Sequence, residues 1–128
     1  MNPENLLYTR EHEWIRVEGD TGTIGITHHA QSELGDVVFV ELPDIGKVYH
    51  AGDTFGSVES VKAVSEVYVP VGGEIVATNP ALSERPEIVN ADPYGEAWMI
   101  RIQLSNTAEL KDLLSAADYE AFVKGLAH

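Results

Sequence analysis

Short runs of β-branched and aromatic residues, each cut off by glycine, proline or aspartate, are what most limits how this chain folds. Residues 37–42 read VVFVEL before Pro43, which cannot continue a central ladder and opens a turn with Asp44, Ile45 and Gly46. Val48 begins a short strand that ends at Ala51-Gly52-Asp53. Residues 54–60 (TFGSVES) and 64–71 (VSEVYVPV) flank Val61-Lys62-Ala63. Gly72-Gly73 breaks the second run, and Glu74-Ile75-Val76-Ala77 makes one more strand. Earlier, Trp14-Ile15-Arg16-Val17 enters a turn at Gly19-Asp20, and residues 21–26 (TGTIGI) return as its hairpin partner. Trp98 to Ile102 alternates, with Trp98, Ile100 and Ile102 on one face. Strands this short, with turns this close, predict a mainly β protein built as a small sandwich or open barrel.

A helix through 55–65 competes, because Phe55, Val58, Val61 and Ser65 sit near helical spacing. Gly, Ser and β-branched residues dominate there and disfavour a helix interior, while Val67, Val69 and Val71 continue at period two. A faint internal echo links GKVYHAGDTFGSVES to GGEIVATN, as if two related hairpins faced each other. Helices are expected at three places. Thr27 is placed to cap a short one that Gly35 ends. Residues 79–90, with Pro80 and Pro86, read as a long loop with at most one helical turn after Asn79. Thr107 is placed to cap a helix with the stripe Leu110, Leu113 and Leu114. Ser115 is placed to cap a second, Ala116–Lys124, which turns Tyr119, Phe122 and Val123 to one side and stops at Gly125. The expectation is one domain over 1–128, with 107–125 as a helical extension packed on it.

Composition narrows the function. Of 128 residues, eight are basic and 21 acidic, for a formal net charge of -13. That surface repels phosphate backbones and anionic membranes, and favours basic patches on other proteins. The chain has no cysteine, so thiol chemistry would need an attached group. The opening MNPENLLYTREHEW holds no basic segment followed by an apolar run, so no secretory signal is visible. No apolar stretch nears spanning length. These features predict a soluble intracellular protein.

Few residues stand out chemically. Of four lysines, Lys62 lies at the midpoint between two strand-like segments, where a hairpin tip would present it to solvent. A lysine at a turn is ordinarily a solvated charge, so spacing alone leaves modification and plain surface charge both open. Glu59 and Glu66 flank it, as ordinary strand charge or as a docking surface. Val61 is unusual at a tip. His28 and His29 are adjacent, and adjacent helical residues do not point together. With His12, His50 and His128 they read as surface histidines. No nucleophile elbow, phosphate loop or distinctive carboxylate pair appears.

At Lys62 the reading meets a family. Residues 56–75, GSVESVKAVSEVYVPVGGEI, resemble the lipoyl-lysine region of the glycine cleavage system H proteins, relatives of the lipoyl and biotinyl domains. YTREHEWIRVEG at 8–19, GITHHAQSELGDVVFVELPDIG at 25–46 and VNADPYGEAWMIRIQLS at 89–105 resemble the family's other blocks, in order. The resemblance implies a barrel-sandwich hybrid fold with short helices. It implies lipoic acid in amide linkage on Lys62, with Glu59, Ser60, Val61, Ala63 and Val64 read by a lipoyl ligase or transferase and by partners. Biotin relatives usually place methionine beside the lysine, so Val61 and Ala63 favour lipoate. The implied role is a non-catalytic, monomeric carrier. Its implied partners are glycine decarboxylase (a pyridoxal-phosphate enzyme), a tetrahydrofolate-dependent aminomethyltransferase and dihydrolipoyl dehydrogenase. The implied location is a bacterial cytoplasm, or the mitochondrial matrix for a processed eukaryotic form. In the family the loaded arm packs on the carrier's own surface; Glu11, His29, Ala30 and Leu34 are candidate cleft residues. The family often has an acid where His28 stands and glycine where Ala97 stands. Two other roles remain: handing lipoyl groups to other proteins, or an unmodified interaction module.

Overall fold

The computed structural model describes residues 2–126. Its strands are β1 (Leu7–Tyr8), β2 (Glu13–Glu18), β3 (Thr21–Ile26), β4 (Val37–Glu41), β5 (Val48–Tyr49), β6 (Thr54–Ser60), β7 (Val64–Tyr68), β8 (Gly73–Thr78) and β9 (Ile100–Leu104). A six-stranded sheet runs β1-β2-β3-β9-β8-β5, and a three-stranded sheet runs β4-β6-β7. All pairings are antiparallel. The result is a mainly β sandwich of two sheets and not a closed barrel.

The alternation of each strand divides its residues between two cores. Ile15, Ile24, Ile75 and Ile102 on the large sheet meet Val40, Val58 and Val67 on the small one. On the outer face of the large sheet, Tyr8 and Trp14 pack with Ala116 and Tyr119 of the C-terminal helix. The first hairpin forms as expected, Glu18 opposite Thr21. The helix α1 (His28–Leu34) is also as expected: the Thr27 hydroxyl accepts from the Ala30 N–H at 3.2 Å, and Gly35 ends it at φ 79°.

The two segments of the internal echo meet, but as partners in one ladder: Val48 lies opposite Glu74 and Tyr49 opposite Gly73. Other expectations need correction. The run after Lys62 leaves the ladder at Tyr68, although Val69 and Val71 stay buried. The loop at 79–90 contains two helical turns, α2 (Ala81–Glu84) and α3 (Ile88–Ala91), each begun near a proline whose fixed φ suits a helix start. The last strand starts at Ile100, so Ile100, Ile102 and Leu104 face inward and Trp98 does not belong to it. Asn79 is the cause. Its amide donates to the carbonyls of Glu96 (2.7 Å) and Trp98 (2.8 Å), which occupies the acceptors a ladder would need. Near residue 107 the cap is Asn106, whose side chain accepts from the Ala108 N–H at 3.0 Å, and the helix is a 3₁₀ segment, Thr107–Asp112. It stays short because Leu114 must return extended to exchange two hydrogen bonds with Tyr8, at 2.8 and 2.7 Å. Ser115 does cap the final helix, α4 (Ala116–Leu126), at 3.1 Å to the Asp118 N–H. Gly125 lies within it and does not stop it. His128 lies outside the described residues.

Gly56 of β6 sits where a Cβ would run into the carbonyl oxygen of Glu41 on β4. Backbone cannot yield as a side-chain tip can. Gly56→Ala is therefore expected to destabilise the fold by about 1–3 kcal/mol, read as a lower midpoint in urea unfolding.

Candidate functional site

Strands β6 and β7 pair with Glu59 opposite Val64 and Val58 opposite Ser65, leaving Val61 and Lys62 as a two-residue tip. Two-residue hairpin turns usually need left-handed backbone at the tip. Here neither Val61 nor Lys62 has a positive φ. Ser60 takes up the difference. Its N–H donates to the Ala63 carbonyl at 2.7 Å. Its Oγ accepts from the N–H groups of Lys62 (3.3 Å) and Ala63 (3.1 Å), so the side chain replaces the missing turn bond. That is why a β-branched valine is tolerated beside the lysine. The Val61 N–H then donates to the Asp36 carbonyl at 3.0 Å and ties the tip to the loop after α1.

Lys62 is exposed, as are Glu59, Val61, Ala63 and Val64. Ser60 is buried and acts inside the turn. Val61 and Val64 are 71% and 65% exposed, and Phe39, opposite Glu59 on β4, is 54% exposed. The lysine thus rises from an apolar facet edged by acid. Gly35 lies beneath it: a Cβ there would stand 3.4 Å from Lys62 Cε.

Next to the hairpin is a cavity of about 720 Å³ between α1, β6, β7, the start of β2 and α4. Glu11, His29, Ala30 and Leu34, the expected cleft residues, all line it. Val58, Val67 and Val123 add apolar wall.

Sequence reasoning missed Glu13, which also lines the cavity and is only 2% exposed. One carboxylate oxygen accepts from the Thr9 hydroxyl at 2.6 Å and the other from the Tyr68 N–H at 3.2 Å. Burial pushes the carboxyl up to about 7, against the pull of those two hydrogen bonds. The signal was available: in a strand where Ile15 and Val17 face the core, Glu13 must face it too.

The histidines divide. His28 and His50 are exposed, as expected. His12 and His29 are half-buried cleft residues, a correction to the surface reading. Their rings lie 4.4 Å apart, and His12 Nδ1 is 2.7 Å from the Tyr119 hydroxyl. Burial, and secondarily His29, lowers the His12 pKa. Burial pushes the Tyr119 phenol up to about 12. His28 faces away, with Nδ1 on the Gln31 amide at 3.0 Å, and Ala97 is buried with ordinary backbone. Neither departure from the family pattern touches the hairpin. Among the described residues no three side chains are grouped to hold a metal ion, and no helix is long and apolar enough to cross a membrane.

A two-sheet sandwich that presents a lysine on a pinned hairpin tip is the architecture of a carrier domain. The model describing the glycine cleavage H-protein matches residues 6–126. A glycine cleavage system H protein of Carboxydothermus hydrogenoformans is 55% identical over 122 residues, 95% of this chain and 94% of that one. One from Rubrobacter xylanophilus is 59% identical over 117 residues, covering 91% and 90%. The crystal structure of a glycine cleavage system H protein from Mycobacterium marinum superposes with a TM-score of 0.85 at 39% identity, covering 93% of this chain and 96% of that one. The chain belongs to the glycine cleavage H-protein family, the lipoyl-bearing carriers of the glycine cleavage system. It is a carrier subunit without catalytic activity of its own, with a covalently attached lipoate. It serves glycine decarboxylase, aminomethyltransferase and dihydrolipoyl dehydrogenase.

Glu13 holds its proton more tightly in the folded chain than in the unfolded one. Its contribution to stability is therefore full below pH of about 4.5 and is lost as pH rises through about 7. Glu13→Gln is expected to flatten this part of the pH–stability curve, by on the order of 2–3 kcal/mol, when unfolding of the unlipoylated chain is followed across that range.

Proposed function

We propose that Lys62 bears the lipoyl group and that the cavity beside it receives the far end of the arm. The observation that carries this reading is the placing of Lys62: exposed, on a turn locked by Ser60 and Asp36, and beside a cavity whose rim and wall differ chemically. Strand residue Ser65, three positions on from Lys62, already lines that cavity, about 10 Å along the chain. Gly35 leaves room for the lysine stem.

The residues present fit such a group. Leu34, Val58 and Val67 offer apolar surface to a hydrocarbon chain. Glu13 offers a buried carboxylate with no cationic partner among the described residues, which suits the ammonium end of an aminomethyl cargo. Uptake of that cation would relieve the cost of ionising Glu13. Lipoate supplies the sulfur that a chain without cysteine lacks. Amide formation removes the Lys62 charge, so the stem enters an apolar space without burying an ion. The protein's part is then to position, shield and release. The tether keeps the reactive end at high effective concentration near each docked enzyme.

Glu59, Val61, Ala63 and Val64 form the surface that a lipoyl ligase or transferase reads, with Ser60 fixing their arrangement. The chain works as one domain over 1–128, with 107–125 as a helical extension packed on the sandwich. The relatives are bacterial, which supports a cytoplasmic setting.

Incubated with lipoate, ATP and a lipoyl ligase, the chain is expected to gain one lipoyl mass on the peptide containing Lys62. Lys62→Arg should gain none while keeping the unfolding midpoint. A full lipoyl mass on the Arg variant would refute the assignment.

A further inference from the structure

Tyr119 is fully buried, and its hydroxyl has two partners: Thr27 Oγ1 at 2.8 Å and His12 Nδ1 at 2.7 Å. Proton counting fixes the direction of both bonds. Thr27 is also fully buried, and its Oγ1 already accepts from the Ala30 N–H. Among the described residues the Thr27 hydrogen has one acceptor, the Tyr119 oxygen. A buried hydroxyl hydrogen without an acceptor is costly, so Thr27 donates to Tyr119. Tyr119 then donates to His12 Nδ1, which must be bare. The imidazole proton therefore sits on Nε2, the nitrogen with no partner among the described residues.

A second observation places this ring deliberately. His12 is the sole non-glycine residue with a positive φ, 70°, among the described residues. Backbone held in such a region is found where the surroundings over-determine it. The turn bonds of Thr9 to Glu13 (3.0 Å) and His12 to Thr9 (3.2 Å) hold it there, and the side chain lines the same cavity as Glu13.

We propose that His12 is a positioning residue of the cleft, kept neutral by the Thr27–Tyr119 relay so that the cationic end of the aminomethyl-loaded arm meets Glu13 beside an uncharged imidazole. This rests on the cleft being the arm's site. The physical reason is charge. An imidazolium at His12 would oppose the same ammonium that Glu13 attracts. By linkage, any proton taken up by His12 weakens docking, and docking suppresses that proton equally. The other titratable groups on the cavity are Glu11 and Glu13 from the N-terminal turn and β2, His29 and Glu33 from α1, and Glu66 from β7. Arg10 is placed over Phe122, 5.9 Å from that ring's centroid. None of these groups is bonded to the Tyr119 hydroxyl, whose partners are His12 and Thr27, so a comparison of variants reports on His12.

The test uses Tyr119→Phe, which removes the hydroxyl and keeps the ring, and the double variant Tyr119→Phe/His12→Asn. Asparagine tolerates positive φ. In the unlipoylated chain, nitrogen NMR is expected to find His12 with its proton on Nε2, and its titration moved to higher pH in Tyr119→Phe. In the lipoylated, aminomethyl-loaded protein, docking is followed by the Leu34 and Val67 amide shifts as pH is lowered. Docking should fail at higher pH in Tyr119→Phe than in the parent, with a several-fold weaker docking equilibrium between about pH 6 and 7. The double variant should return to the parent curve. A parent His12 protonated on Nδ1, or a double variant as weak as Tyr119→Phe, would overturn the proposal. If loading leaves those amide shifts unmoved in the parent protein and in every variant, the arm-in-cleft reading itself fails instead.

Discussion

The rest of the structure depends on a tight turn made without the backbone geometry such turns usually use. Ser60 supplies through its side chain what glycine or asparagine would supply through a positive φ. With the side chain doing this, the two tip positions are free to be valine and lysine. The adjoining strand β6 is held on both sides, by β4 and by β7. The lysine is therefore mobile only beyond its own Cα. A carrier needs that division, because partners must find the attachment point in one place while the arm travels.

The second organising element is a carboxylate placed where the strand pattern calls for an aliphatic residue. Glu13 joins the large sheet to the hairpin strand by accepting from the Tyr68 N–H. Among the described residues no cation pairs with it, and the ion pair found there is a long surface contact, Arg16 to Glu18 at 4.0 Å. A buried acid without a counter-charge works against folding once ionised, and buried ions are found where something other than stability holds them. The neighbouring imidazoles and the Tyr119 hydroxyl extend this polar island across the N-terminal turn, α1 and α4. Three separated parts of the chain thus close on one wall of the cavity.

Much of this was legible in the sequence. The period-two runs gave the strands, Thr27 and Gly35 bounded α1 as their chemistry dictates, and the lysine midway between two strand segments fell on the tip. What escaped reading depended on distant partners. No local rule says that Asn79 will claim the carbonyls of Glu96 and Trp98, so the start of β9 was set two residues early. The 3₁₀ form of 107–112 follows from the pull of Leu114 towards Tyr8, about a hundred residues away in sequence. The histidines were misjudged for the same reason: His12 becomes a cleft residue through Tyr119. Glu13 is different, since the face it occupies was already implied by Ile15 and Val17.

The bridge between Tyr8 and Leu114 has a further consequence. Strand β1 is one of the two edge strands of the six, and an open strand edge invites pairing with a second molecule. Here the returning C-terminal segment takes up both free groups of Tyr8, and α4 stacks Tyr119 on the Tyr8 ring with centroids 4.8 Å apart. The tail that looks like an appendage closes this edge of the sheet, so β1 offers a second molecule no free Tyr8 group to pair with.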